Sequence, residues 1–176
     1  CPTYALKMAE IDSATLEAYL AALNPAGFTY HDIGMTWGLR LMSPQGLFAA
    51  EHQAAAANGT FARHLIFMTD GETDTRIGGY DAWGMSAVAR RRTPTGSIPT
   101  NATQNTLTET RLGELCTFAK NDKNITVWVI AFGTTLTPLL ENCASPNRAY
   151  QADNAEELTE TFAQIASQIA QLRLIS

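Results

Sequence analysis

Residues 125–133 (ITVWVIAFG) narrow the folds open to this chain more than any other segment. They are β-branched and apolar on both alternating faces, so a strand built from them has no side to give to water. That pattern belongs to a central strand of a parallel sheet covered on both faces. A second apolar run, residues 64–68 (HLIFM), stops at Thr69-Asp70-Gly71, as a buried parallel strand does on entering a loop.

Helical patterns surround these two runs. Asp12-Ser13 is a capping signal, followed by Leu16, Tyr19, Leu20 and Leu23 at spacings of three and four. A second helix opens after Thr29, with Ile33, Trp37, Leu41 and Met42 on one face and Ser43-Pro44-Gln45-Gly46 closing it. An amphipathic helix is predicted over about 104–120 through Leu107, Leu112, Leu115 and Phe118. A turn of helix is expected at 136–142 and a short strand at 148–151. The last helix has Asn154 and Glu157 as a capping box, then Leu158, Phe162, Ile165, Ile169 and Leu172. Residues 3–11 are at best an edge strand. Residues 47–63, with an alanine run and Asn58-Gly59, read as an exposed excursion, and 71–100 as a long irregular loop. Strands alternating with helices predict an α/β fold, a mostly parallel sheet with helices on both faces.

Composition agrees with a packed domain. The chain has 176 residues, 45% hydrophobic and 16% charged, the reverse of the balance that keeps a chain disordered. A net charge of −5 argues against binding a nucleic-acid backbone, and Arg90-Arg91-Arg92 reads as a solvated run in a loop. No stretch approaches a membrane span of about 18 apolar residues. The N-terminal Cys-Pro-Thr-Tyr has neither an initiator Met nor a signal-peptide pattern, so the chain reads as a piece of something longer.

In open α/β sheets ligands bind beyond the carboxyl ends of the strands. Asp70 lies at that edge, Glu72 and Asp74 follow it, and Thr29 and Asp32 sit where another loop opens a helix. Hydroxyl and carboxylate oxygens on one loop face suit a hard cation such as Mg²⁺. The same residues also serve as ordinary caps, Asp70 of a loop and Thr29 of a helix.

The blocks 27–34 (GFTYHDIG), 64–74 (HLIFMTDGETD) and 125–133 resemble, in order, the Thr-bearing loop, the fourth-strand segment and the following strand of von Willebrand factor A (VWA) domains. Residues 29–48, 63–74, 125–138 and 165–174 are more closely similar to the C-terminal region of Tad-pilus (Flp-type, tight adherence) assembly proteins of the TadG type. The resemblance implies a VWA-like, Rossmann-like fold and a metal-ion-dependent adhesion site. In that site Thr29 supplies a hydroxyl ligand, Asp70 binds Mg²⁺ directly or through water, and a protein partner's carboxylate completes the shell. Asp32, Glu72 and Asp74 would be accessory acidic groups. It implies a membrane-anchored, non-enzymatic module on the periplasmic or extracellular side of a bacterial envelope, with pilus or envelope components as partners. The family's Asp-x-Ser-x-Ser motif is absent. The chain is therefore expected to lack the first strand, the first helix and the second strand, and to hold a cation weakly. A metal-free scaffold of the same fold is the alternative.

Three cysteines, Cys1, Cys116 and Cys143, permit one disulfide and a leftover thiol. The implied envelope location favours pairing Cys116 with Cys143, the other possibility being two buried thiols. His31, His52 and His64 have no zinc-ligand spacing with the cysteines. His31 is read as structural, beside the Thr29 loop. Trp37, Trp83 and Trp128 are read as core or loop anchors, Trp83 being the one considered for partner contact. A hydrolase built on His64 with Asp70 or Glu72 is disfavoured, because no Gly-x-Ser-x-Gly elbow is present.

Overall fold

The computed structural model of the chain describes residues 3–24, 26–56 and 61–173. In chain order the elements are α1 (Ser13–Ala21), α2 (His31–Leu41), α3 (Ala49–Ala56), β1 (Arg63–Thr69), β2 (Tyr80–Asp81), β3 (Gly84–Met85) and α4 (Ser86–Ala89). They continue with α5 (Asn101–Asn121), β4 (Ile125–Phe132), α6 (Pro138–Cys143), β5 (Ala149–Ala152) and α7 (Ala155–Arg173). The main sheet is three-stranded and parallel, in the order β1-β4-β5, with Phe67 opposite Val129 and Val129 opposite Ala149.

Helices flank this sheet on both faces, an arrangement compatible with a Rossmann-like fold. One face carries Leu65, Phe67, Ile125, Val127, Val129 and Ala131, packed with Met35 and Met42 of the α2 end, Leu112 and Cys116 of α5, and Leu140 of α6. Gly38 lets α2 settle on β1, since a Cβ there would lie 3.0 Å from Leu65 Cδ1. The other face carries Trp128 and Ile130 beneath Ile165 of α7. Trp128 is fully buried, and its indole Nε1–H donates to His64 Nδ1 at 3.2 Å. Burial of each such side chain stabilises the fold by about 1.5–3 kcal/mol.

Local chemistry sets several element ends. Asp12 Oδ1 accepts from Thr15 N and starts α1, and Thr100 and Thr137 do the same for α5 and α6. Asn154 Oδ1 accepts from Glu156 N and Glu157 N, as the expected cap requires, while the Glu157 carboxylate accepts from Asp153 N and Asn154 Nδ2 in place of the Asn154 backbone N–H of a capping box. Cys116 and Cys143 form a disulfide between α5 and α6. Cys1 and Asn58-Gly59 lie outside the described residues, as does the side chain of Leu172.

The buried helix faces follow the apolar pattern in part, through Met42 at the end of α2, Leu112 in α5 and Ile165 in α7, and depart from it elsewhere. In α2 the inward residues are His31, Asp32 and Met35, and Trp37 is 41% exposed with the Arg40 guanidinium over its ring. In α5 the inward stripe runs Gln104, Thr108, Leu112, Cys116, Ala119. Its first half is polar, with Gln104 bonded to the Tyr30 hydroxyl and Thr108 to Arg111, and its second half packs with the sheet. In α7 Thr161 is buried and Phe162 is exposed. Residues 3–11 form no strand, and α1 buries none of its residues. Within 47–63, α3 forms and His52 is buried, its Nε2–H donating to Leu41 O at 2.7 Å.

The β1 side of the sheet is open among the described residues. β1 is an edge strand, and on the face where α7 covers β4 and β5, Ile66 and Met68 are 40% and 50% exposed. An apolar edge without Pro, bulge or inward charge is a template for pairing with another strand. Ile66→Lys is therefore expected to keep stability within about 0.5 kcal/mol while reducing self-association measured by light scattering after gel filtration. An unchanged mass distribution would show that this edge does not drive association. Among the described residues no helix is long and apolar enough to cross a membrane.

Candidate functional site

The carboxyl ends of β1 and β4 meet a set of loops held by buried polar groups. Thr29 is half-buried, and its backbone exchanges two hydrogen bonds with Asp74, Thr29 N to Asp74 O at 2.8 Å and Asp74 N to Thr29 O at 3.2 Å. This bridge fastens the loop that opens α2 to the loop that leaves β1. One residue pair further in, His31 stands between two hydroxyls, Nε2 at 2.9 Å from Thr69 Oγ1 and Nδ1 at 3.0 Å from Thr73 Oγ1. Thr69 Oγ1 donates to Gly71 O at 3.1 Å, so it accepts from His31 Nε2–H, and Nδ1 accepts from Thr73. Burial pushes the pKa of His31 below the ordinary imidazole range, against the opposing pull of the Asp32 and Asp70 carboxylates. A neutral, doubly bonded ring is a fastener for the loop.

Asp32 is fully buried and accepts three hydrogen bonds. Ile33 N reaches Oδ1 at 2.9 Å, while Arg111 Nε and Trp83 Nε1 reach Oδ2 at 2.6 and 3.2 Å. The Arg111 side chain is 30% exposed. Burying a carboxylate is costly unless a cation and hydrogen bonds compensate it, and here both are supplied from distant segments. Trp83, read as a loop anchor, is 40% exposed and directs its indole N–H inward to Asp32.

Residues 71–100 are consequently well tied. They contain the β2–β3 hairpin and α4. Thr75 N and Oγ1 donate to Asn105 Oδ1, Asn105 Nδ2 donates to Thr73 O, and Ile77 N donates to Asn101 Oδ1. Arg92 pairs with Asp81, both nearly fully buried, and its guanidinium lies over the Tyr30 ring. The Tyr30 hydroxyl donates to Arg76 O and accepts from Gln104 Nε2, and burial raises its pKa.

The expected site residues divide into two groups. Asp32 is paired with Arg111 and Asp74 with Arg76, so their charges are already answered within the chain. Asp70 and Glu72 are exposed, Asp70 one residue past β1. Glu72 lines a cavity of about 340 Å³ with His31, Thr73, Glu109, Thr135 and Leu140. Among the described residues no three or more His, Cys, Asp or Glu side chains form a group able to hold a metal ion. His64 lies at the start of β1 and Asp70 beyond its end, about 20 Å apart at 3.3 Å per residue. A His64–Asp70 couple is therefore not formed.

No protein-family model, curated protein or solved structure matches the chain.

The site is defined by its own geometry. His31, Asp32, Thr73, Trp83, Asn105 and Arg111 build it; His31, Asp32 and Trp83 were singled out in the sequence, and Thr73, Asn105 and Arg111 were not. Arg111 had one usable signal. It lies beside the inward stripe of α5, next to Leu112 and three residues after Thr108, where an Arg can reach a buried anion.

Proposed function

We propose that the chain is a non-enzymatic binding and assembly module with a VWA-like fold, belonging to a bacterial Tad (Flp) pilus or cell-envelope adhesion system. Its place would be the periplasmic or extracellular side, anchored by a segment outside this chain. The observation that carries this reading is the Thr29–Asp74 backbone bridge, which brings the Thr-bearing loop to the loop that begins at Asp70. The order of blocks, apolar strand, Thr-Asp-Gly and following parallel strand, supports it. The open β1 edge supports it as well, since a sheet lacking a neighbouring strand leaves that edge unpaired.

Mg²⁺ prefers oxygen ligands and retains several waters. Thr29 and Asp70 offer two such oxygens, which fit a weakly held ion whose shell a partner carboxylate would finish. The pairing of Asp32 with Arg111 and Asp74 with Arg76 favours the second reading, a metal-free scaffold of the same fold. Titration calorimetry with Mg²⁺, repeated on Asp70→Asn and Thr29→Ala, separates them. Binding of the wild type in the millimolar range, weakened about tenfold or more in Asp70→Asn, is the expected result. No binding, or equal binding by the variant, would leave the scaffold.

A further inference from the structure

The end of the sheet opposite Asp70 holds a second cavity, of about 310 Å³, between the C-terminal ends of α2 and α5 and the starts of β1 and β4. Its wall is apolar, from Leu39, Met42, Leu115, Phe118 and Ile125. Its remaining charged residues are all cationic: Arg40, Arg63 and Lys123. In a chain of net charge −5, three basic residues surround a cavity lined by no carboxylate. Among the described residues none of the three makes an ion pair. Arg63 donates to Met42 O and Lys123 O, closing the two helix ends. Arg40 and Lys123 are exposed and lie on aromatic faces, 4.8 Å from the Trp37 centroid and 4.9 Å from that of Phe118. Asp122, next to Lys123 in the chain, lines with Glu114 a neighbouring groove on the other side of Phe118.

We infer that this cavity binds a small amphipathic carboxylate, an apolar chain with one anionic head. Pockets for small ligands are mostly apolar with a few placed polar groups, and begin at about 300 Å³. At about 30 Å³ for each water-sized group, the cavity accommodates about ten such groups, the size of a medium-chain fatty acid. The tail packs on Leu39, Leu115 and Ile125, and the head meets Arg40 and Lys123 at the rim. The site lies away from Thr29 and Asp70 and does not depend on a metal there.

The test titrates the chain with octanoate and, separately, octylammonium, both below micelle formation, following binding by calorimetry and amide chemical shifts. Octanoate is expected to bind about tenfold tighter than octylammonium, as two exposed cations of modest individual effect provide. Arg40→Gln with Lys123→Gln should remove that preference, and Leu115→Trp, which fills the cavity, should abolish binding of both ligands. Should Leu115→Trp fail to fold, the two exposed charge substitutions still decide the matter. Equal affinity for the two ligands, a preference that survives the double variant, or no binding would each overturn the inference.

Discussion

Arg111→Ala is expected to destabilise the fold by about 3–5 kcal/mol, the range for removing one partner of a buried ion pair. The loss is large because Asp32 is 0% exposed and would stay behind with only Ile33 N and the Trp83 indole as donors. Against a total stability of about 5–15 kcal/mol, such a change brings a domain near its threshold. The double variant Asp32→Asn/Arg111→Ala removes the orphaned charge and should recover at least half of the loss, because a neutral amide left buried costs far less than an ion. Asp32→Asn alone should be milder than Arg111→Ala. Chemical denaturation of the four proteins completes the cycle. A single Arg111→Ala loss below about 1 kcal/mol, the size of a solvent-exposed pair, would mean that Asp32 is reached by water. Loop 71–100 should respond too, since Trp83 shares Asp32 Oδ2 with Arg111. Cleavage within it by a dilute protease should accelerate in Arg111→Ala and not in the double variant.

That network also marks where reading the sequence stopped working. β1, β4 and α7 were legible because their signals are local: an unbroken apolar run, a β-branched run, a cap followed by a periodic stripe. The Asp12, Asn154 and Glu157 caps belong to the same class. Asp32, Trp83 and Arg111 come from segments separated by 51 and 79 positions, and no local pattern records that their polar atoms converge. For the same reason α5 was oriented by Leu107, Leu112, Leu115 and Phe118, of which Leu112 is buried in the core, whereas Gln104 and Thr108 also face inward. A polar residue on a buried face is unfavourable only without a partner, and here Gln104 Nε2 donates to the Tyr30 hydroxyl and Thr108 Oγ1 accepts from the Arg111 guanidinium. Trp37 shows the converse, a large apolar ring that the apolar pattern sends inward and that instead stacks under Arg40 at the surface. The candidate site was legible as a location, at the carboxyl ends of the strands, where the Thr29 loop meets the loop after β1. Its supporting polar groups were not.

Replacing Cys116 and Cys143 together by Ala is expected to lower stability by about 3–4 kcal/mol. The bridge spans 27 positions, and closing a loop of that length removes conformational entropy from the unfolded chain worth about 3.5 kcal/mol in the chain-entropy description. For a domain of this size each kcal/mol lowers Tm by about 2–4 °C, so a fall of about 7–15 °C is the measurable consequence. The bridge also has a positional role. Both cysteines are 1% exposed, and joining α5 to α6 pins the two helices that cover β4 on the face bearing Val127 and Val129. Alanine leaves some space where the sulfurs were, so the double variant should be compared with wild-type protein unfolded in the presence of a thiol reductant, which removes the bond and keeps the sulfur volume. Similar losses in both would assign the effect to the cross-link, and a loss in the alanine variant alone would assign it to packing. The result bears on location. Disulfides persist in oxidising compartments such as the bacterial periplasm. A fold that loses several kcal/mol on reduction would be poorly maintained in a reducing cytosol, as the proposed envelope placement requires. A chain equally stable with and without the bond would remove that support and leave the placement resting on the resemblance alone.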